Sequence, residues 1–228
     1  MNGGRIMRKT LAVIHTGFVS VDPLTRAFAD VAPGLELVNI VDDSLLKETI
    51  AMNGPTSKVV QRLCWYFSAA EQLGADAILS ACSSVGEITE IAAHTVSIPA
   101  IRVDSAMAEM AVDIGSRIAL MATVQTTLLP SKRLIERIAA DRLKDVTVVP
   151  HLCSGAFELL TRGDKSGHDR ALIEAIHSAA HDADVVVLAQ VSMARLLDVI
   201  DGHVGVPVLA SPMTGARHAA RVLGVLNS

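Results

Sequence analysis

The sequence predicts an α/β protein made of two pseudo-symmetric halves, each a mostly parallel sheet flanked by helices. Half of the 228 residues are hydrophobic but only 3% are aromatic. The core must therefore consist mainly of Ala, Val, Ile and Leu, which is typical of parallel sheets covered on both faces. Short apolar runs also alternate with stretches of helical spacing. Finally, the pattern of the first half of the chain recurs in the second.

The strands and helices are predicted from the spacing of apolar residues. Short runs rich in β-branched residues indicate buried strands, and longer stretches with apolar residues three or four apart indicate helices. Because the two alternate, right-handed βαβ units and a mostly parallel sheet are expected. The predicted strands are 11–14, 35–41, 77–81, 118–122, 146–149 and 185–189, and the predicted helices include 57–73, 88–93, 132–140 and 170–180.

The second half of the chain repeats the first. Residues 11–16 match 118–123, and residues 76–82 match 184–190, at offsets that differ by a single residue. The period is too long for a solenoid. Because the offset between matching residues changes by only one residue, duplication explains the repeat better than the general likeness of βαβ units does. The alignment also places Pro23 on Pro130, each just ahead of a helical stretch, Ser84 on Ser192, and Ile98-Pro99 on Val206-Pro207.

The repeat predicts where the two halves begin and end. Residues 9–104 together with 213–228 are expected to form the first half-domain, and residues 105–212 the second. Two such halves facing each other create a cleft, in which each half presents the carboxyl ends of its strands. Open parallel sheets bind ligands at those ends, so the active site is expected in this cleft.

Charge, cysteine content and motifs argue against several classes of function. The net charge of −4 offers no attraction to nucleic acid or to an anionic membrane, and no segment approaches the roughly 18 apolar residues of a membrane span. The three cysteines lack CxxC spacing, which argues against zinc and disulfides and favours a reduced, cytoplasmic protein. No GxGxxG, P-loop or Gly-x-Ser-x-Gly motif occurs, and no histidine pair predicts a metal site.

Short polar segments follow the predicted strands where the cleft is expected, and they supply the candidate site residues. In the first half these are His15, Thr16, Cys82, Ser83 and Ser84, and in the matching places of the second half they are Thr123, Gln190, Ser192 and Met193. Among them, His15 is a candidate base or substrate hydrogen-bond donor, although an ordinary loop histidine would occur in the same place.

Cys82 is the strongest candidate for chemistry. It precedes the helical stretch 88–93, and Ser84 with Glu87 three residues later has the form of a capping box. The positive end of that helix is expected to favour the thiolate and to lower the pKa of the thiol. The backbone N–H groups of Ser83 and Ser84 are candidates to bind a carboxylate. The alternative is a small buried hydrophobic residue at a strand end.

These segments resemble the aspartate/glutamate/hydantoin racemase superfamily, from about Lys9 to the end of the chain. The resemblance rests on the duplicated halves and on four segments: Ala-Cys-Ser-Ser at 81–84, Ala-Thr-x-x-Thr-Thr at 122–127, Leu-Ala-Gln-Val-Ser-Met at 188–193 and Ile-Val-Asp-Asp-Ser-Leu-Leu at 40–46. It implies two flavodoxin-like half-domains, a small carboxylate or hydantoin-like substrate bound between them, no cofactor, and a homo-oligomer.

The resemblance also implies one catalytic cysteine from each half. Cys82 matches the first, but Gln190 stands where the second is expected. A glutamine amide has no useful pKa and cannot act as an acid or base. Inversion would therefore need a second proton carrier, such as His15 or a bound water. The hydroxyl-bearing candidates, at positions 16, 83, 84, 123 and 192, are expected to hold the carboxylate and to stabilise enediolate-like charge.

Three functions remain open from the sequence. The first is an isomerase or racemase that moves a proton at the carbon beside a carboxylate or equivalent carbonyl, with Cys82 as acid and base. The second is a one-cysteine decarboxylase or lyase of the arylmalonate decarboxylase type, which needs only one proton delivery; in those enzymes the cysteine lies in the other half. The third is a small-acid binding protein without catalysis.

Overall fold

The computed structural model describes residues 8–200 and 204–226, and it has two four-stranded parallel sheets. The first half of the chain contains β1 (Thr10–His15), α1 (Val21–Val31), β2 (Glu36–Val41), α2 (Asp43–Ala51), α3 (Ser57–Gln72), β3 (Ala77–Ser80), α4 (Gly86–Ala93), β4 (Ala100–Arg102) and α5 (Ser105–Ile114). The second contains β5 (Arg117–Ala122), α6 (Gln125–Asp141), β6 (Thr147–Leu152), α7 (Ser154–Thr161), α8 (Lys165–Ala180), β7 (Val185–Leu188), α9 (Leu197–Ile200), β8 (Val208–Ala210) and α10 (Ser211–Val222). Three short 3₁₀ helices occupy Phe18–Ser20, Ser83–Val85 and Val191–Leu196.

The two sheets have the same topology. Their strand orders are β2-β1-β3-β4 and β6-β5-β7-β8, and every pairing is parallel. The registers also correspond, since Leu11 pairs with Ala77 in the first sheet and Ile118 pairs with Val185 in the second. The predicted fold class, two pseudo-symmetric α/β halves with parallel sheets, is confirmed.

The core of each half forms because the central strands are buried along their whole length. All four residues of β3 and all four of β7 are buried, so both faces of each strand must be covered by helices. On α1, the residues Leu24, Ala27, Phe28 and Val31 lie on one face at helical spacing and pack into the first core. The last helix, α10, returns to this same core through Ala216, Ala219 and Ala220.

The two helices near the predicted half-domain boundaries pack on different sheets. Residues of α5 belong to the core of the second sheet, whereas α10 packs with α1 on the first. The boundary predicted at residue 213 falls inside α10, which begins at Ser211. Residues 201–203, 227 and 228, which the predicted half-domains include, lie outside the described residues.

The structure differs from the predicted elements in the bounds of several of them, since β6 continues to Leu152 and α6 begins at Gln125, and also at two short strands and two prolines. The strands β4 and β8 were not predicted, because each has only three residues and follows a proline, at 99 and 207. In addition, Pro23 and Pro130 lie inside helices rather than ahead of them. Pro23 occupies the third position of α1, where a backbone N–H has no partner within the helix, so its missing donor costs little. Pro130 interrupts the hydrogen bonds within α6, and the helix continues past it.

No helix in the two described stretches of chain is long and apolar enough to span a membrane.

Candidate functional site

A cleft lies between the carboxyl ends of the two sheets and contains Cys82 and Gln190. It is partly open to solvent, and the space inside it measures about 60 Å³. Each lies two residues after a buried central strand and directly before a 3₁₀ helix, so the duplicated fold brings them to equivalent positions. The lining residues are Thr16, Gly17, Val19, Ser20, Leu46, Ala81, Cys82, Ser83 and Ser84 from the first half, and Thr127, Ala189, Gln190, Val191 and Ser192 from the second.

The thiol of Cys82 is surrounded by hydrogen-bond donors. The hydroxyl of Thr16 and the backbone N–H groups of Ser84 and Val85 lie within its reach. Burial nevertheless raises the pKa of Cys82 above its ordinary value, and these hydrogen bonds offset only part of that effect. The expected lowering of the pKa by the helix end is therefore wrong, because desolvation outweighs the local donors.

Ser84 connects the two halves instead of capping α4. Its Oγ lies 2.8 Å from Oγ1 of Thr127 on α6, and both side chains are buried. The predicted capping box does not form. Val85 is the N-cap residue of α4 and makes no side-chain cap, while the carboxylate of Glu87 contacts Arg133 at 3.1 Å. The Ser84 hydroxyl therefore fixes the segment after Cys82 against the opposite half.

Gln190 is held by Thr123. Its Oε1 accepts hydrogen bonds from the backbone N–H of Thr123 at 2.6 Å and from the Thr123 hydroxyl at 2.9 Å. A backbone N–H can meet only the oxygen of an amide, so the orientation of the Gln190 side chain is fixed. Its Nε2 has no hydrogen-bond partner among the described residues, which leaves two N–H donors for a ligand.

His15 does not line the cleft. It is fully buried, with Nδ1 2.7 Å from Oγ of Ser20 and Nε2 2.9 Å from Oδ1 of Asn39. Burial lowers its pKa, and the hydrogen bond with Asn39 opposes that shift. Ser20 in turn donates to the carbonyl of Gly17. Because both ring nitrogens are occupied, His15 supports the loop beside the cleft, and the structure gives no support to its expected role as base or donor.

The remaining candidates divide into two groups. Thr16, Ser83 and Ser192 line the cleft, and no described residue accepts a hydrogen bond from the hydroxyl of Ser83 or Ser192. Met193 does not line it, contrary to expectation: its side chain is fully buried among the apolar residues that cover the second sheet. The 3₁₀ geometry of Val191–Leu196 turns this side chain inward, while Ser192 stays beside the cleft.

Several lining residues were missed by sequence reasoning. Gly17, Val19 and Ser20 follow the predicted His15-Thr16 pair directly, and Leu46 and Thr127 belong to segments 40–46 and 122–127. The sequence offers one indication that these residues line the cleft, namely that they belong to the same segments as the predicted site residues or to the segments that carry the resemblance. Which of their side chains reach the cleft depends on how the two halves meet, and that cannot be read from local spacing.

An ionic network joins the halves behind Cys82. Arg102 at the end of β4 contacts Asp104 through two hydrogen bonds, at 3.0 and 3.1 Å, and Glu90 of α4 at 2.9 Å. Arg137 of α6 reaches the same Glu90 at 2.6 Å. A Cβ at residue 86 would collide with the guanidinium group of Arg102, which explains the glycine at the start of α4. The helix that follows Cys82 is thereby clamped to the second half.

Metal ligands do not cluster in the part of the chain that the structure describes, where no group of three His, Cys, Asp or Glu side chains is arranged to hold an ion. Of the lining residues only Cys82 titrates, and the others offer hydroxyls, an amide and backbone groups. Such a set can hold an anion by hydrogen bonds and can exchange a proton at a thiol.

Solved structures with the same fold include racemases and a variant of a decarboxylase. An aspartate racemase from Picrophilus torridus has a TM-score of 0.72 at 15% identity, over 96% of each chain. A glutamate racemase isoform from Bacillus anthracis has a TM-score of 0.73 at 19% identity, over 96% of this chain and 84% of that one. A variant of arylmalonate decarboxylase has a TM-score of 0.61 at 17% identity, over 94% and 93%.

Comparison by sequence gives the family directly. A search of curated proteins found no match. The sequence profile described as Asp/Glu/hydantoin racemase, however, matches residues 16–219, which is most of the chain. The chain belongs to the Asp/Glu/hydantoin racemase family.

Proposed function

We propose that this protein is a cofactor-independent isomerase-type enzyme that transfers a proton at the carbon beside a carboxylate or equivalent carbonyl, with Cys82 as its only acid–base side chain and a bound water as the slower proton carrier on the opposite face. The observation that carries the proposal is the position of Cys82 in the interlobe cleft, where it is the only titratable side chain among the lining residues. Membership of the racemase family supports the reaction class.

The environment of the thiol suits both directions of proton transfer. Its raised pKa keeps the proton on sulfur at neutral pH, so the thiol is ready to protonate a carbanion or enediolate. The same shift makes the minor thiolate form a stronger base for removing a proton from carbon. When the thiolate forms, the donors of Thr16, Ser84 and Val85 stabilise its charge.

Gln190 serves as a fixed hydrogen-bond donor in this proposal. Thr123 occupies its oxygen, so only the N–H groups of Nε2 remain for the substrate. Together with the hydroxyls of Ser83 and Ser192, they would bind the carboxylate and stabilise the negative charge that develops on its oxygens, while the hydroxyl of Thr16 donates to Cys82. Thr123 and Ser84 then act as positioning residues, since their hydroxyls are engaged with Gln190 and Thr127.

Deuterium exchange tests the proposal. Amino acids, hydantoins and hydroxy acids are incubated with the protein in heavy water, and incorporation at the α-carbon is followed by NMR and mass spectrometry. Incorporation should stop in Cys82→Ala. It should persist in Cys64→Ala and Cys153→Ala, matched controls whose thiols lie outside the cleft. Incorporation that survives in Cys82→Ala, or none with any compound of the panel, would contradict the proposal.

A one-cysteine decarboxylase is the second candidate. A raised pKa favours it, because loss of carbon dioxide leaves an enediolate that needs only one proton, and a protonated thiol can deliver it. The carbon–carbon bond supplies the electron pair, the proton passes from sulfur to carbon, and solvent returns a proton to the thiolate. Carbon dioxide release from 2-substituted malonates that is absent in Cys82→Ala would identify this reaction; its absence in the wild-type protein would exclude it.

A further inference from the structure

The lining of the cleft is uncharged apart from the titrating thiol. No Lys, Arg, His, Asp or Glu side chain of the described residues contributes to it, although its walls come from both halves. Moving a charged group from water into such a site is unfavourable because the group loses its hydration. Hydrogen bonds or an opposite charge must replace the lost water to offset this penalty. The composition of the lining therefore restricts which charges a substrate can carry.

Three charged side chains on segments next to the cleft are engaged by neighbouring groups. Asp42, at the end of β2, contacts Arg62 at 3.1 Å and the hydroxyl of Tyr66 at 2.8 Å. Asp104 is occupied by Arg102. Arg195, three residues after Ser192, contacts the carboxylate of Asp169 and the carbonyl of Ser192, each at 2.5 Å. None of these groups is left over as the counter-charge for a bound ligand.

Neutral donors suffice for one carboxylate. Three side chains of the lining offer free donors, namely the hydroxyls of Ser83 and Ser192 and the N–H groups of Gln190, whereas the hydroxyl of Thr16 is engaged with Cys82. Hydrogen bonds to an ionised acceptor are roughly twice as strong as neutral ones, so such a set can bind a carboxylate without a cation. An ammonium group would find only hydroxyl and carbonyl oxygens, and a carboxylate on the substituent would find no further donors.

The rest of the lining is apolar. Val19 and Leu46 stand in the first half, with Ala81 below them, and Ala189 and Val191 face from the second. Val19 is 63% exposed and its neighbour Phe18 is 72% exposed, so this side of the cleft presents apolar surface to solvent. Covering exposed apolar surface is favourable by about 25 cal/mol per Å². A substituent that contacts Val19 and Leu46 would gain this free energy only if it is apolar.

We propose that the substrate carries its negative charge at the reacting carbon only, lacks an ammonium group, and has an apolar substituent that lies against Val19 and Leu46. This inference rests on the proposed proton transfer, and it separates the chain from enzymes that act on dicarboxylic amino acids. A cleft that lacks charged partners selects against aspartate and glutamate by their ammonium group and their second carboxylate.

Binding and exchange are measured separately to test this substrate class. The probes are 2-phenylpropanoate and mandelate on one side, and both enantiomers of aspartate and glutamate on the other. Saturation-transfer NMR reports binding, and deuterium incorporation in heavy water reports turnover. We expect the phenyl acids to bind at least about ten-fold more tightly, which corresponds to about 1.4 kcal/mol, and to exchange their α-proton in a Cys82-dependent manner.

A charge placed among the apolar lining residues provides the test variant. Leu46→Arg should weaken binding of 2-phenylpropanoate by about ten-fold or more, since it removes apolar contact and adds a hydrated cation. Leu73→Arg is the control, because Leu73 is 66% exposed at the end of α3 and lies outside the cleft. Circular dichroism and thermal unfolding confirm that both variants fold.

The outcomes separate the two proposals. If aspartate or glutamate binds and exchanges while the phenyl acids do not, the substrate class is wrong and the proton transfer stands. If the phenyl acids bind but nothing exchanges, the proton transfer fails while the ligand class is supported. Equal binding of both classes, no binding of either, or equal losses in Leu46→Arg and Leu73→Arg would overturn the substrate class.

Discussion

The side-chain oxygen of Gln190 accepts two hydrogen bonds from Thr123, one from the backbone N–H and one from the hydroxyl. Thr123 follows β5 and Gln190 follows β7, which are neighbouring strands in the second sheet. The pair thus occupies the place where the resemblance implies a second cysteine. It replaces a proton carrier with an amide whose orientation is fixed and whose free atoms are donors.

Removing the Thr123 hydroxyl tests whether this orientation matters. In Thr123→Val the backbone N–H remains but one of two hydrogen bonds to Gln190 is lost. We expect turnover to fall by about five-fold, equivalent to about 1 kcal/mol. Steady-state kinetics on any substrate found by deuterium exchange provide the measurement. Thr123→Ser keeps the hydroxyl and should recover most of the activity; if it is as impaired as Thr123→Val, the hydroxyl does not act through Gln190.

The reactivity of Cys82 should reveal its raised pKa. Alkylation requires the thiolate, so iodoacetamide should react slowly with Cys82 at pH 7, and the rate should rise through and beyond the ordinary cysteine pKa of about 8.5. A background with Cys64→Ala and Cys153→Ala leaves Cys82 as the only thiol and makes the rate unambiguous. A rate that is high and independent of pH between 6 and 8 would instead support the lowered pKa expected from the helix end.

The fold could be predicted from the sequence largely because its central strands are buried on both faces. Runs such as 77–81 and 185–189 contain little but apolar residues, and their near-constant offset reveals the duplication. The three-residue strands β4 and β8 escaped prediction because three residues cannot show a periodicity. Pro130 was placed ahead of α6 because a proline inside a helix is unfavourable, and packing of the surrounding turns overrides that preference.

The site could be predicted only in part, because contacts between the two halves are not visible in local sequence patterns. Cys82 and Gln190 are found by aligning the two halves, since both follow central strands. The partner of Ser84 is Thr127 on the opposite half, and no local spacing indicates such a contact. The direction of the pKa shift at Cys82 was also misjudged, because a helix end is visible in the sequence whereas desolvation depends on the whole fold.

Protonation of buried His15 should limit stability in acid. Its folded-state pKa is lowered, so the unfolded chain binds the proton more readily. The stability that His15 contributes is therefore present above the unfolded pKa of about 6.5 and is lost as the pH falls through the lowered folded value. Thermal unfolding between pH 7.5 and 5 should show a smaller loss of stability in His15→Gln than in the wild-type protein. Identical pH dependence in both would remove His15 as the cause.

Asp104 should matter far more to stability than the surface pair on the adjacent helix. The side chains of Arg102 and Asp104 are only 5% and 2% exposed, so Asp104→Asn leaves a buried guanidinium with an incomplete partner set. Breaking a buried pair in this way costs about 3–5 kcal/mol. Glu87→Gln, which breaks the exposed contact with Arg133, should cost less than about 1 kcal/mol. Urea unfolding measures both, and similar losses would show that burial does not make the Arg102–Asp104 pair more important to stability than the exposed contact.

Restoring a thiol at position 190 should change the stereochemistry of proton transfer. With Cys82 as the only acid–base side chain, the proton removed from one face of a planar intermediate returns to that face faster than water delivers one to the other, so exchange in heavy water should outrun inversion. Gln190→Cys adds a proton carrier in the second half, and a single enantiomer should then give deuterated product of both configurations, as resolved by chiral chromatography with mass detection. Gln190→Ala removes the amide without adding a thiol and should lose activity without gaining inversion. If the wild-type protein already inverts its substrate as fast as it exchanges deuterium, a second side chain delivers the proton and Cys82 is not the only acid–base side chain.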